Sequence, residues 1–311
     1  MRFLVTGGAG FLGVGLANRL AADGHVVHAL DDLSNGDATR LDPRVAFTQG
    51  DVDNIPLLWS LLQDVDCVYH LAARVSVPQS ILYPRDYERV NVGGTVSLME
   101  AMRDTGVGRV ILTSSGAVYG TQPRQPVRED DVPNPDSPYA VSKWSAEQYI
   151  HTIGTLWGLE TVALRIFNAY GPGQSLPVSH APVVPRFLQQ ALTGGSIMIF
   201  GDGQQTRDYL FIDDVVEALA RAAIAKGIDG AIINIGRGQE TTVNELVDQV
   251  EKATGRHVNV IRNAEKGGGV SRLAADISRA GKLLDFRPQI DLAAGLRLTI
   301  ERDPRFSPRQ A

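Results

Sequence analysis

Short runs of apolar, largely β-branched residues alternate along the first half of the chain with longer stretches whose apolar positions recur every third or fourth residue. The short runs are RFLVTG (2–7), HVVHALD (25–31), RVAFTQGD (44–51), DCVYHLAA (66–73), RVILTSS (109–115) and TVALRIFN (161–168). They read as strands, and their nearly continuous apolar character suits strands buried on both faces. The longer stretches include FLGVGLANRLAADG (11–24) and DYERVNVGGTVSLMEAMRDTG (86–106), which read as helices ending at glycine. Strands that alternate with helices predict right-handed βαβ units and a parallel sheet covered by helices on both sides, a doubly wound Rossmann-like α/β fold.

The texture changes after FNAYGPGQ (167–174). SLPVSHAPVVP (175–185) is proline-rich and aperiodic, and helical patterns follow at 183–194, 214–226 and 241–255, with a late stretch DISRAGKLLDF (276–286). This predicts a larger first domain over 1–170 and a smaller lobe over 171–311. Parts of 208–236 are expected to pack back onto the first domain. The tail RDPRFSPRQA (302–311) reads as frayed.

The composition is globular, 43% hydrophobic and 21% charged over 311 residues. A net charge of −5 with no basic run argues against nucleic acid or an anionic membrane as partner. No stretch reaches membrane-spanning length, and MRFLVTGGAG reads as a strand and not as a signal peptide. One cysteine, Cys67, excludes an internal disulfide and reads as an inert core thiol; a cytoplasmic location is expected. The histidines lack metal-ligand spacing: His25 and His28 read as flanking a strand and His70 as following one, so no metal is expected.

Two motifs carry candidate chemistry. VTGGAGFLG leaves the first strand with Gly7, Gly10 and Gly13 and opens the first helix. Glycines there allow a tight turn and close backbone approach to a pyrophosphate, and the helix N-terminus offers free N–H groups to the anion. The next strand ends in Asp31 and Asp32 about twenty residues on, where an acid accepts from both ribose hydroxyls and repels a 2′-phosphate, favouring NAD over NADP. Asp32 reads better as a solvated loop acid, and Asp51 in GDVDN could meet the adenine edge.

The second motif is SPYAVSKWSAEQ (137–148). Ser137 is a good N-cap and Pro138 fits the first helical position. Tyr139, Val141, Trp144, Tyr149 and Ile150 read as an apolar face, with Trp144 and Tyr149 as packing residues. Tyr139 and Lys143, at i and i+4, lie on one face, and Ser115 ends a strand. A tyrosine titrates too high to be an efficient base at neutral pH. A nearby ammonium, a cationic nicotinamide and the helix N-terminus are each expected to lower its pKa.

Together with TSSGAVYG (113–120), HLAARVSV, VNVGGT, LRIFNAYGPGQ, FGDGQQTRDYLFIDDVVEA and INIGRG, these motifs resemble the extended short-chain dehydrogenase/reductases of the NAD-dependent epimerase/dehydratase family. The chain is most similar to the UDP-galactose (UDP-hexose) 4-epimerases, over nearly its whole length. The resemblance implies that Gly7, Gly10, Phe11 and Leu12 line the pyrophosphate of NAD and that Asp31, Asn35 and Gly36 meet the adenosine ribose and its phosphate. It implies that Asp51 and Val52 hold adenine, that Leu71, Ala72, Ala73 and Asn91 border the middle of the cofactor, and that Ser115, Tyr139 and Lys143 are catalytic. Asn168, Val183, Phe200 and Arg207 would meet a UDP-sugar, though Arg207 could instead pair with Asp208 or Asp202. Where many relatives carry an arginine–proline–glycine–aspartate turn, this chain has EKGGG (265–269), in which Lys266 supplies charge without a guanidinium fork. A homodimer through helices around 88–104 and 138–157 is also implied.

The implied reaction is 4-epimerisation through a 4-keto sugar, with Tyr139 as base and NAD retained. Dehydrating relatives carry an Asp–Glu pair, and decarboxylating ones a glutamate, where this chain has Gly116 and Ala117. Dehydration, decarboxylation, net dehydrogenation and a non-enzymatic NAD sensor are the alternatives.

Overall fold

The computed structural model describes residues 1–264 and 269–306. Seven parallel strands form the central sheet: β1 (Arg2–Thr6), β2 (Val26–Asp31), β3 (Ala46–Gln49), β4 (Cys67–His70), β5 (Arg109–Ser115), β6 (Glu160–Ile166) and a late strand Ala231–Ile235. Their order is β3-β2-β1-β4-β5-β6 followed by Ala231–Ile235, so the winding reverses between β1 and β4. At such a reversal the loops leaving the strand ends diverge and open a crevice.

Alternation sorts each strand between two cores. Phe3, Val5, Tyr69, Ile111, Val162 and Leu164 face one cluster with Leu16, Leu20, Val215 and Leu219. Leu4, Val68, Val110, Leu112 and Ala163 face the other, with Leu58, Leu98, Met102 and Ile150. The helices behind these side chains are α1 (Phe11–Ala22), α2 (Ile55–Leu61), α5 (Gly94–Thr105), α6 (Pro138–Trp157) and a later helix Ile212–Ile224, with α3 (Val77–Leu82) and α4 (Pro84–Tyr87) lying between α2 and α5 in the chain. Each fully buried Leu or Val contributes about 1.5–3 kcal/mol, so both faces of the sheet are anchored. Cys67 is buried, and desolvation pushes its thiol up to about 12.

Beyond β6 come β7 (Asn168–Tyr170), α7 (Val183–Thr193), β8 (Ser196–Phe200), β9 (Thr206–Arg207), β10 (Tyr209–Phe211) and α8 (Ile212–Ile224). The strand Ala231–Ile235 is β11, followed by β12 (Thr241–Thr242), α9 (Val243–Thr254), β13 (Asn259–Asn263), α10 (Ser278–Leu284) and α11 (Leu292–Arg302). Three two-stranded sheets, β7–β10, β9–β12 and β8–β13, link these segments. The helix α9 begins with a reciprocal capping box between Thr242 and Glu245.

Four expectations are corrected. The helical pattern over 86–106 is broken by a π-helical turn at Glu88–Gly93, ahead of α5. His28 lies inside β2, with Nε2 2.8 Å from the Thr48 hydroxyl, and does not flank the strand. The described part of the tail, 302–306, is packed: Asp303 and Phe306 are buried, and Arg305 binds the Asp303 carboxylate and donates to the Gln174 carbonyl, while 307–311 lie outside the described residues. Val141 and Tyr149 are each 46% exposed, so they are not packing residues of this chain. Trp144, in contrast, packs partly against Val118, Phe167 and Leu273.

Among the described residues no helix is long and apolar enough to cross a membrane, and no group of three or more His, Cys, Asp or Glu is placed to hold a metal.

Candidate active site

The crevice at the β1/β4 reversal begins with the glycine loop. Gly7 has φ +68°, and a Cβ there would stand 2.6 Å from the Ala72 nitrogen. A Cβ on Gly13 would lie 2.0 Å from the Gly7 carbonyl oxygen. Neither position admits a side chain, so the loop from β1 to α1 is held against the backbone of Leu71 and Ala72. Gly10 is the N-cap of α1 and has no side chain to cap it, so no N-cap side chain occupies the N–H groups of the first turn, at Phe11, Leu12 and Gly13.

Asp31 ends β2 beside this loop. Its carboxylate accepts from the Ala9 N–H (3.1 Å) and the Leu33 N–H (2.8 Å). Burial raises its pKa, while the amides of Leu33, Ala9 and Gly10 pull it back. Gly36 packs against it, since a Cβ there would stand 2.8 Å from Asp31 Oδ1, and Asn35 is exposed next to it. These features fit a dinucleotide: a cradle that a Cβ would fill, an uncapped helix start, and an anchored acid one strand away.

Asp51 and Val52 follow β3. Asp51 pairs with Arg89 at 3.0 Å and accepts from the Asp53 N–H. Val52 puts its side chain into the core against Gly94, so only its backbone faces outward chemistry. Leu71, Ala72 and Ala73 are half-buried in the loop leaving β4, where Ala72 N–H donates to the Thr6 hydroxyl.

A hydrogen-bond chain braces this loop. Thr95 gives its hydroxyl proton to the Asn91 carbonyl at 2.6 Å, so toward His70 Nε2, 3.0 Å away, it can only accept. His70 therefore carries its proton on Nε2, and Nδ1 accepts from the Thr6 hydroxyl at 2.8 Å. Burial drives the ring down to about 3, keeping it neutral. The π-helical turn places Asn91 so that it binds both backbone groups of Arg74 and the Ser142 hydroxyl (2.8 Å). Ser142 in turn donates to the Tyr139 carbonyl. Asn91 thus ties the loop after β4 to the helix that carries Tyr139 and Lys143.

At the start of α6 the Ser137 hydroxyl accepts from the Ala140 N–H, as its cap role requires. Tyr139 is half-buried and interacts with the Ser115 hydroxyl, which stands at the end of β5 and accepts from the Ala117 N–H. The Tyr87 ring meets Tyr139 edge-on, centroids 6.4 Å apart, with its own hydroxyl fixed on the Ser76 carbonyl at 2.6 Å.

The expected lowering of the Tyr139 pKa is not what the chain alone provides. Burial raises it, the Ser115 hydroxyl lowers it, and Tyr87 raises it further. Lys143 is not among the groups that offset the desolvation, and is itself pulled down to about 8 by burial, with Glu147 opposing. Phenolate loses more hydration here than Ser115 restores.

On the far side, Asn168 in β7 stands opposite Tyr209 of β10, and its N–H donates to the Asp208 carbonyl. Arg207 pairs with neither suggested acid. The Asp208 carboxylate accepts from the N–H groups of Arg237, Gly238 and Ala275, and Asp202 accepts from Gln204. The Arg207 guanidinium donates to its neighbour's carbonyl at Thr206 and reaches toward Gly269. Burial lowers its pKa, which marks a cation drawn out of water and suited to an incoming anion. Phe200, 39% exposed at the end of β8, is joined to this strand through Gln205, whose amide donates to its carbonyl. Val183 opens α7 and packs partly against the main core. Lys266 lies outside the described residues.

The motif reading missed Tyr87, Thr6, Thr95, His70 as a brace, and the Glu147–Arg165 pair. The Tyr87-x-x-x-Asn91 and Lys143-x-x-x-Glu147 spacings were the available signals, since each sets two side chains on one face.

The NAD dependent epimerase/dehydratase family model matches residues 3–236. The chain belongs to that family. A UDP-glucose 4-epimerase of Mycolicibacterium smegmatis is 41% identical over 308 residues, 97% of this chain and 98% of that protein. Among solved structures, the UDP-glucose 4-epimerase of Thermotoga maritima with UDP-glucose superposes with a TM-score of 0.93 at 34% identity, covering 97% and 98% of the two chains. The UDP-glucose 4-epimerase of Thermus thermophilus in complex with NAD gives 0.90 at 33% identity, again covering 97% and 98%. The chain is accordingly an NAD-dependent nucleotide-sugar epimerase.

Proposed function

We propose that the chain catalyses reversible 4-epimerisation of a UDP-hexose of the UDP-glucose/UDP-galactose type, using tightly held NAD. The observation that carries this is the Ser115–Tyr139 interaction, with Lys143 one turn further along α6, at the mouth of a dinucleotide cradle. Bound NAD supplies a hydride acceptor and donor at its nicotinamide. Tyr139 takes the proton of the sugar 4-hydroxyl and later returns it, Ser115 holds that oxygen, and Lys143 binds the nicotinamide ribose and favours the phenolate. The glycine cradle, Asp31, Asn35, Gly36, Asp51, Val52 and the 71–73 loop with Asn91 serve the cofactor. Asn168, Val183, Phe200, Arg207 and Lys266 serve the UDP portion, in a substrate lobe over 171–311 with parts of 208–236 packed back on the first domain.

Dehydration is disfavoured by packing as well as by sequence. A Cβ at Gly116 would stand 3.1 Å from the Phe167 ring, so an added carboxylate there would have to displace it. A panel of nucleotide sugars, followed by NMR of the product's stereochemistry, tests the proposal: a 4-epimer is expected from a UDP-hexose, whereas a 4-keto-6-deoxy product would point to dehydration. Arg207→Leu is expected to weaken UDP binding about tenfold to a hundredfold, as loss of a charge-assisted fork does, with little change in NAD content; calorimetry with UDP checks it.

We also propose a homodimer in the cytoplasm. Ile81, Leu82, Val141, Tyr149 and Leu156 leave α3 and α6 with exposed apolar side chains, a surface suited to a second copy. Light scattering is expected to give twice the 33.5 kDa chain mass, falling to one chain in Leu156→Glu.

A further inference from the structure

Lys143 is 4% exposed. A buried ammonium is unfavourable unless a counter-charge is close. One turn further along α6, Glu147 is 0% exposed, and the i,i+4 spacing sets it on the same face. Glu147 does not swing freely. Arg165 of β6 grips both its oxygens, Nε to Oε1 at 2.9 Å and Nη2 to Oε2 at 2.7 Å. The guanidinium is itself held 4.7 Å over the Tyr119 ring, whose hydroxyl donates to Asn234 at 2.7 Å.

For stability alone such a buried pair is close to neutral against apolar residues of the same size. Its position beside Lys143 gives it another use. We propose that Glu147, locked by Arg165, is a positioning residue for Lys143, keeping the ammonium protonated and aligned beside Tyr139. Among the described residues, Glu147 on α6 and His70 from β4 are the titratable groups that act on Lys143, with Tyr139 one turn back along α6 and Arg165 behind Glu147. His70 is neutral and Tyr139 is protonated at rest, so Glu147 is the source of favourable charge. This agrees with the opposing effects of burial and Glu147 on Lys143.

The inference rests on Lys143 being part of the active site. The chain has five lysines, at 143, 226, 252, 266 and 282, so selective lysine ¹³Cε labelling gives a simple spectrum in which Lys143→Met assigns one signal. Wild-type Lys143 should titrate near 8, well below the ordinary lysine value of about 10.4. Glu147→Gln strands a buried guanidinium and can unfold the chain. The informative variants are therefore Glu147→Met with Arg165→Met, and Glu147→Gln with Arg165→Gln, each removing both charges at similar volume. In whichever folds, Lys143 should titrate about one pH unit lower. The high-pH loss of kcat should move by the same interval, about a fivefold deficit at the pH where the wild type is half-active. Unchanged titration in a folded, NAD-containing double variant would overturn the inference, as would wild-type Lys143 titrating at the ordinary lysine value of about 10.4. Turnover by Lys143→Met at the wild-type rate would instead remove Lys143 from the active site, a separate failure.

Discussion

Tyr139→Phe is expected to lower kcat for epimerisation by about 10²–10⁴ while KM changes less than threefold. The phenylalanine ring keeps the edge-on contact with Tyr87, and the cap at Ser137 is untouched, so the helix stays in place. What disappears is the group that moves the 4-hydroxyl proton. The pH profile separates this from a general disturbance. In the wild type with NAD bound, activity rises as Tyr139 ionises, because the positive charge of the nicotinamide offsets the burial that raises the phenol in the chain alone. It falls again as Lys143 gives up its proton, a group pulled down to about 8. The variant should lose the rising limb. Steady-state kinetics across pH checks it, and a variant as fast as wild type would show that the base lies elsewhere.

Gly13→Ala is expected to purify with little or no NAD. The added Cβ would lie 2.0 Å from the Gly7 oxygen and 2.7 Å from the Gly8 Cα, both backbone atoms that cannot rotate away. The start of α1 must then move off the loop, and its N–H groups no longer converge where a pyrophosphate would bind. Overpacking of this kind costs about 1–3 kcal/mol or more, so the melting temperature should fall too. Gly108→Ala is the control: a Cβ there meets nothing within 4 Å. Absorbance of the released cofactor and thermal melts distinguish the pair. Full NAD content in Gly13→Ala would mean that the dinucleotide does not use this loop.

Local rules made the capped start of α6, the glycine cradle and the acid ending β2 legible in sequence. Each is written within a few residues: Ser137-Pro138, Gly7 to Gly13, the close of HVVHALD. Partnerships across the fold were not legible. Arg165 lies 18 positions from Glu147, and only the packing of β6 against α6 joins them. Asp51 is claimed by Arg89 from the π-helical turn, a break that the apolar periodicity of 86–106 conceals. Val141 and Tyr149 carry an apolar pattern yet face outward, because periodicity marks an apolar face without saying which surface covers it. The phenol's pKa depends on desolvation, which spacing alone does not reveal.

The most direct test of the central claim follows the hydrogen at carbon 4. UDP-glucose deuterated at that position, incubated with the purified chain in ordinary water without added NAD, should yield UDP-galactose that keeps its deuterium at carbon 4. Loss of the label to solvent, or no galacto product, would contradict 4-epimerisation by transfer within the site.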